Sequence, residues 1–231
     1  MLASRLYALA FFACFLLAAC GRGEERGDPY VAAFRRLRPS IALVTADEVG
    51  REGVQSYGSA SVVKSTRRGT WLLTAAHVIA RARAIFVRIG ARPLGRARVM
   101  ARDPVHDAAI IFVGAGNVPA VRLGDSGELE AGTRIGVAGY PVPDAFAEQH
   151  LPPTPSMYAG RVASLRSRVL EIDAPIIPGD SGGPVFDAAS GLVIGLSEAR
   201  FDDERAIGLA IPINRIKPFL RRVLPSLGGA S

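Results

Sequence analysis

Ser181 stands inside the hexapeptide Gly179-Asp180-Ser181-Gly182-Gly183-Pro184. A nucleophilic serine needs an exposed hydroxyl on a tight turn and small neighbours that let a carbonyl approach. It also needs backbone N–H groups aimed at the oxyanion that develops. A glycine-rich hexapeptide around one Ser supplies all three. Asp, Ser, Gly and Pro also favour plain turns, so this segment alone leaves both readings open. His77, in Thr74-Ala75-Ala76-His77-Val78, follows a β-type run at a point where a short helical turn can begin. Small residues before it and an apolar strand behind it would hold the ring beside a cleft; a lone His is otherwise a structural or surface residue. Asp107, in His106-Asp107-Ala108-Ala109-Ile110-Ile111, is a carboxylate at the head of an apolar strand. It either starts that strand or accepts the His77 ring N–H, fixing the tautomer and stabilising the imidazolium. The three side chains together suit acyl transfer through a covalent intermediate.

Metal chemistry has no such support. The three histidines are far apart in sequence, and no Cys or acidic cluster accompanies them, so neither a metal nor another cofactor is expected. His106 and His150 read as surface residues.

Elements able to position the three residues are short and β-type. Runs at 41–46, 58–64, 71–74, 84–89, 96–101, 108–113, 134–138, 157–165, 168–172, 191–196 and 206–211 are rich in Val, Ile and Leu and are punctuated by Gly, Pro, Asp and Ser. Such spacing without βαβ alternation predicts an all-β barrel or sandwich. A short helix is expected over 30–38, stopped by Pro39. Apolar residues at 213, 216, 219, 220, 223 and 224 predict a terminal amphipathic helix. The stretch 140–156 holds five prolines and reads as a long loop without structure of its own, of a kind that is often functional.

The chain has 231 residues, 49% of them hydrophobic and 21% charged, which suits a globular unit with an ample core. Its net charge of +7 is carried by scattered arginines, with Lys64 and Lys217 the only lysines. No helix-turn-helix and no aromatic-interleaved basic motif accompanies them, so no nucleic-acid partner is expected. At the N-terminus, Arg5 precedes an apolar run from Leu6 to Leu17, of signal-peptide length, which ends in Leu17-Ala18-Ala19-Cys20. This resembles the lipobox of bacterial lipoproteins, which implies lipidation of Cys20 and a membrane anchor; an ordinary signal peptide and an uncleaved anchor helix are the alternatives. The organisation expected is a signal peptide at 1–19, a flexible tether at 20–29 and one domain at 30–231. Gly21, which is not the Asp of inner-membrane retention, leans the address toward the outer membrane. The only cysteines, Cys14 and Cys20, fall in this leader, so no disulfide is expected in the mature domain.

The order His77, Asp107, Ser181 in these three contexts resembles the trypsin-like serine proteases, and among them the bacterial HtrA (Deg) branch. The resemblance spans nearly the whole mature chain. It implies two six-stranded antiparallel β-barrels with the active site between them, His77 and Asp107 from the first and Ser181 from the second. It further implies Ser181 as nucleophile, His77 as general base and then acid, and Asp107 as its orienting partner. The backbone N–H groups of Gly179 and Ser181 would form the oxyanion hole. The implied activity is that of an endopeptidase facing the periplasm or cell exterior, cleaving unfolded or exposed segments of protein or peptide substrates.

Departures from the family pattern refine this expectation. The position six before the serine, acidic in enzymes with basic specificity, is Pro175, and Ile176 and Ile177 beside it are apolar. A pocket walled by these residues with Leu196 and Ser197 would prefer small or aliphatic side chains, since it cannot repay the desolvation of a Lys or Arg. Glu198, on the same strand, has no place in that scheme. No activation-cleavage sequence lies near Ser40 to supply a new N-terminus for Asp180, so order in the 140–156 loop is expected to set activity. About a score of residues follow Pro212, too few for the PDZ domain usual in the HtrA branch, and a homo-oligomer is not indicated. The competing function is a non-catalytic lipoprotein that binds a peptide or partner protein on a protease scaffold; an esterase using the same three residues is a weaker one.

Overall fold

The computed structural model of the chain describes residues 27–201 and 204–224. The expected signal segment, Cys20 and most of the tether lie outside them. Strand β1 (Ile41–Glu48) shows why the apolar runs of this sequence are so continuous. Ala42 and Val44 point into one core, while Ile41 and Leu43 point into another. The same split holds in β3 (Gly69–Ala75), with Leu72 inward and Leu73 outward, and in β6 (Ala108–Val113), with Ile111 inward and Ile110 outward. Successive side chains of a strand face opposite ways, so a strand buried on both faces loses its polar alternation.

The inward set fills a closed antiparallel barrel made of β1, β2 (Gln55–Thr66), β3, β6, β5 (Arg92–Asp103) and β4 (Ala82–Ile89), in that neighbour order. A second closed barrel follows the order β10 (Pro184–Asp187), β11 (Val193–Phe201), β12 (Glu204–Pro212), β9 (Leu170–Ile172), β8 (Ser156–Leu165) and β7 (Arg134–Gly139). Its interior is built from residues such as Ile135, Val162, Ile172 and Val185. Register shifts at 62–64, 87–88, 99–101 and 162–164 supply the bends that closure requires. This is the two-barrel all-β fold that the resemblance implied, and eleven of its twelve strands overlap the expected runs. The twelfth, β10, was not expected: it has four residues and begins at a proline directly after the glycine-rich turn.

The outward set forms a third core between the barrels, where Ile41, Leu43, Leu73, Ile110, Tyr140, Phe186 and Leu196 meet the two terminal helices. Helix α1 (Pro29–Leu37) begins with Pro29 at its first turn, and the Asp28 carboxylate accepts the Tyr30 N–H at 2.8 Å. It buries Ala33 and Leu37. The C-terminal helix, here Ile213–Val223, buries Ile213, Ile216, Phe219 and Leu220 along one face, as its periodicity predicted. The proline-rich stretch is less irregular than expected: Pro143–Glu148 forms a short helix, α2, entered through Val142 at a φ of 38°.

Tyr140 ties the barrels together. It is 1% exposed, its hydroxyl accepts the Gly90 N–H at 2.8 Å, and it donates to the Ile41 carbonyl at 3.2 Å. Tyr140→Phe would strand one donor and one acceptor in an apolar seam. The expected result is a loss of about 1–3 kcal/mol in urea unfolding with an unchanged slope.

Candidate active site

His77 opens a single 3-10 turn, His77–Ile79, immediately beyond β3. Asp107 lies just ahead of β6, which pairs with β3 along its whole length, so adjacent strand ends bring the two residues together. Asp107 has a φ of 43°, a left-handed conformation that Asp tolerates better than most residues. Three contacts secure it: its carbonyl accepts the Ala76 N–H at 3.0 Å, Oδ1 accepts the His77 backbone N–H at 2.8 Å, and Oδ2 lies 2.5 Å from His77 Nδ1. One oxygen therefore positions the backbone of His77 and the other its ring. The bond to Asp107 raises the His77 pKa; burial opposes the shift, and the charges of Asp107 and Glu198 reinforce it.

Ser181 reaches the same place from the second barrel. Its carbonyl accepts the Ser59 N–H at 2.8 Å. Gly182, at a φ of 85°, packs so tightly on β2 and β3 that a Cβ there would lie 2.5 Å from Thr74 Oγ1 and 2.6 Å from Ala75 N. Only glycine permits that approach, which seats the Ser181 turn against the segment leading into His77. The Ser181 hydroxyl donates to the Glu198 carbonyl at 3.1 Å and not to the imidazole. Among the described residues, the N–H groups of Gly179 and Ser181 have no acceptor. Two free amides one residue apart, at Gly179 (φ 103°) and at the serine itself, can receive an oxyanion.

The other expected pocket residues divide. Pro175 and Ile177 are partly exposed, whereas Ile176 and Leu196 are buried at 4% and 1% among core residues. Ser197 is fully buried, and its hydroxyl bonds the carbonyls of Asp180 at 2.6 Å and Gly183 at 3.1 Å. It braces the turn from behind and does not offer an open wall. His106 pairs with Asp103 at 2.8 Å, and His150 is exposed.

Three residues that the sequence reading did not single out hold the segment around Pro178 and Gly179. Ser59, fully buried, donates its hydroxyl to the Gly179 carbonyl at 2.7 Å and accepts the Tyr140 N–H at 2.9 Å. Thr74 donates to the Ser59 carbonyl at 2.7 Å. Val142, despite its unusual φ, fixes the segment by donating its N–H to the Pro178 carbonyl at 2.7 Å. The only local signal of the first two is a small hydroxyl on an otherwise apolar strand face.

Known proteins carry the same arrangement of elements. The family described as trypsin-like peptidase domain matches residues 58–196, which include all three candidate side chains. A probable periplasmic serine endoprotease, DegP-like, of Pseudomonas putida (strain W619) is 33% identical over 193 residues, covering 78% of this chain and 37% of that protein. The Do-like serine protease HtrB of Bacillus subtilis (strain 168) is 27% identical over 178 residues, covering 72% of this chain and 38% of that one. The chain thus spans little more than a third of the length of these relatives. The solved HtrA-type protease AlgW with tripeptide superposes with a TM-score of 0.71 at 27% identity, over 85% of this chain and 64% of that one. The active form of the Rv3671c protease from M. tuberculosis shares the fold at a TM-score of 0.69 and 24% identity, over 88% of this chain and 86% of that one.

Proposed function

Because the chain belongs to the trypsin-like peptidase family and has relatives of the HtrA and DegP type, we propose that it is a serine endopeptidase acting on unfolded or exposed protein segments. The observation that carries this reading is the two-oxygen grip of Asp107 on His77, at 2.8 and 2.5 Å, together with the free amides of Gly179 and Ser181 on the turn that carries the serine. A binding scaffold has no need of that arrangement.

In the proposed reaction the Ser181 hydroxyl leaves the Glu198 carbonyl and turns to the imidazole. Oγ attacks the scissile carbonyl carbon while His77 Nε2 takes its proton, and the Gly179 and Ser181 amides hold the oxyanion. Collapse of the tetrahedral adduct breaks the C–N bond, and the proton passes from His77 to the leaving amine. Water, deprotonated by the same imidazole, then releases the acyl group. With Pro175 and Ile177 as its accessible apolar wall, the primary pocket takes small or aliphatic side chains. The chain works in the bacterial envelope facing the periplasm, consistent with relatives named as periplasmic endoproteases, and is held there through lipidated Cys20.

The competing reading, a non-catalytic peptide-binding scaffold, draws its support from the serine hydroxyl being engaged by Glu198. A fluorophosphonate separates the two, because it reacts only with an activated serine. Stoichiometric labelling mapped to Ser181 by mass spectrometry is expected, and its absence in natively folded protein would leave the scaffold.

A further inference from the structure

Strand β11 is irregular beside the nucleophile. Ser197 pairs with Ala210 and Ala199 with Leu209, so Glu198 is the extra residue of a β-bulge. A bulge re-aims the side chain it carries, and bulges are common next to active sites. Here the Glu198 backbone holds the Ser181 hydroxyl at 3.1 Å, and the charge of its half-buried carboxylate helps to raise the His77 pKa, while burial and then the Asp107 charge raise its own. Among the described residues, no Arg, Lys or His forms an ion pair with it. Two carboxylates thus act on one imidazole, and with the ring neutral no cation among the described residues is paired with the Glu198 carboxylate.

We infer that Glu198 forms a cation-selective subsite beside His77, and that it favours Arg or Lys at the substrate residue immediately before the one whose carbonyl is attacked. The inference rests on the peptidase reading above and supplies its substrate class. An extended peptide alternates its side chains. If the residue attacked by Ser181 points toward the apolar wall of the second barrel, its predecessor points the opposite way, toward the imidazole. A cation there meets the unpaired carboxylate and relieves the cost of its partial burial. The primary pocket and this neighbouring subsite then select opposite chemistries, apolar and basic.

The test uses the full chain with Ser181→Ala, which binds without turnover, and fluorescent decapeptides that differ only at the residue preceding a central Ala. By anisotropy, Arg and Lys peptides should bind at least about fivefold tighter than the Leu peptide, with the Glu peptide weakest. Adding Glu198→Gln should bring Arg and Leu peptides within about twofold of each other. A preference that survives Glu198→Gln overturns the inference, as does equal binding of all peptides or binding of none. The same series run on chain with Ser181 intact distinguishes the two claims. Selective binding without cleavage retains the subsite and removes the peptidase; cleavage without selectivity does the reverse. Glu198→Ala, with unchanged melting, guards against a fold defect peculiar to the Gln variant.

Discussion

Ser181→Ala is expected to lower kcat/KM on an unfolded protein substrate by about six orders of magnitude, Asp107→Asn by about four, and the double variant by no more than Ser181→Ala alone. The first value follows from losing the only atom that bonds covalently to substrate. The second follows from the division of labour between the two oxygens of Asp107. An Asn there keeps one acceptor, and the backbone N–H of His77, now 2.8 Å from Oδ1, claims it. The amide –NH₂ then faces Nδ1, which must accept, so the ring proton moves to Nε2. A ring protonated at Nε2 has no lone pair to take the serine proton. Non-additivity tests whether the residues act as a unit, since a carboxylate that serves the imidazole has nothing left to serve once the nucleophile is gone. The pH profile gives a second check. Asp107 raises the His77 pKa, and catalysis requires the neutral ring, so the acidic limb of kcat/KM should lie above 6.5. It should move to lower pH in Asp107→Asn. Independent losses that multiply, or an unmoved limb, would deny the coupling.

The legible part of this molecule is the part whose cause is local. The run 108–113 matches β6 at both ends because an Asp before six consecutive apolar residues is a strand signal confined to a few residues. The stop of helix α1 is likewise announced by Pro39, whereas its start, with Asp28 as cap and Pro29 in the first turn, falls in the stretch expected to be tether. What escaped the sequence depends on partners far along the chain. The Ser59 bonds that support Gly179 and Tyr140 span 120 and 81 residues, and no window of sequence contains both ends. The expected pocket shows the same limit. Leu196 and Ser197 lie on a strand that serves both the interior of the second barrel and the core between the barrels, and periodicity states that faces alternate without stating which one the cleft uses. Glu198 had no place in the sequence reading because a bulge sets its direction, and a bulge is a property of two strands. The helix at Pro143–Glu148 escaped because the prolines that suggested a loop also suit a first helical turn, as Pro143 does.

Asp180→Asn is expected to stabilise the folded chain at pH 8, by at most about 4 kcal/mol, and to have little effect at pH 4. Asp180, between Gly179 and Ser181 in the chain, is fully buried; Oδ2 accepts the Ile177 N–H at 3.1 Å, and Oδ1 has no partner. Burial pushes its pKa from 3.8 up to about 7. The native chain therefore holds this proton more tightly than the unfolded chain, which releases it near 3.8. Stability associated with Asp180 is complete below that value, declines as pH climbs toward 7, and stays low beyond it. The roughly three-unit difference, at about 1.4 kcal/mol per unit, sets the upper size of the effect. Asn keeps the shape and the acceptor for Ile177 but carries no charge to desolvate, so its stability does not share the decline. For a domain of this size the gap in melting temperature should open to on the order of 10 °C between pH 4 and pH 8. Because the cost falls on the residue between Gly179 and Ser181, it is a cost of holding the two amides proposed to receive the oxyanion. A gap that stays constant with pH would mean that a cation reaches Asp180 in solution and that the turn is not under this load.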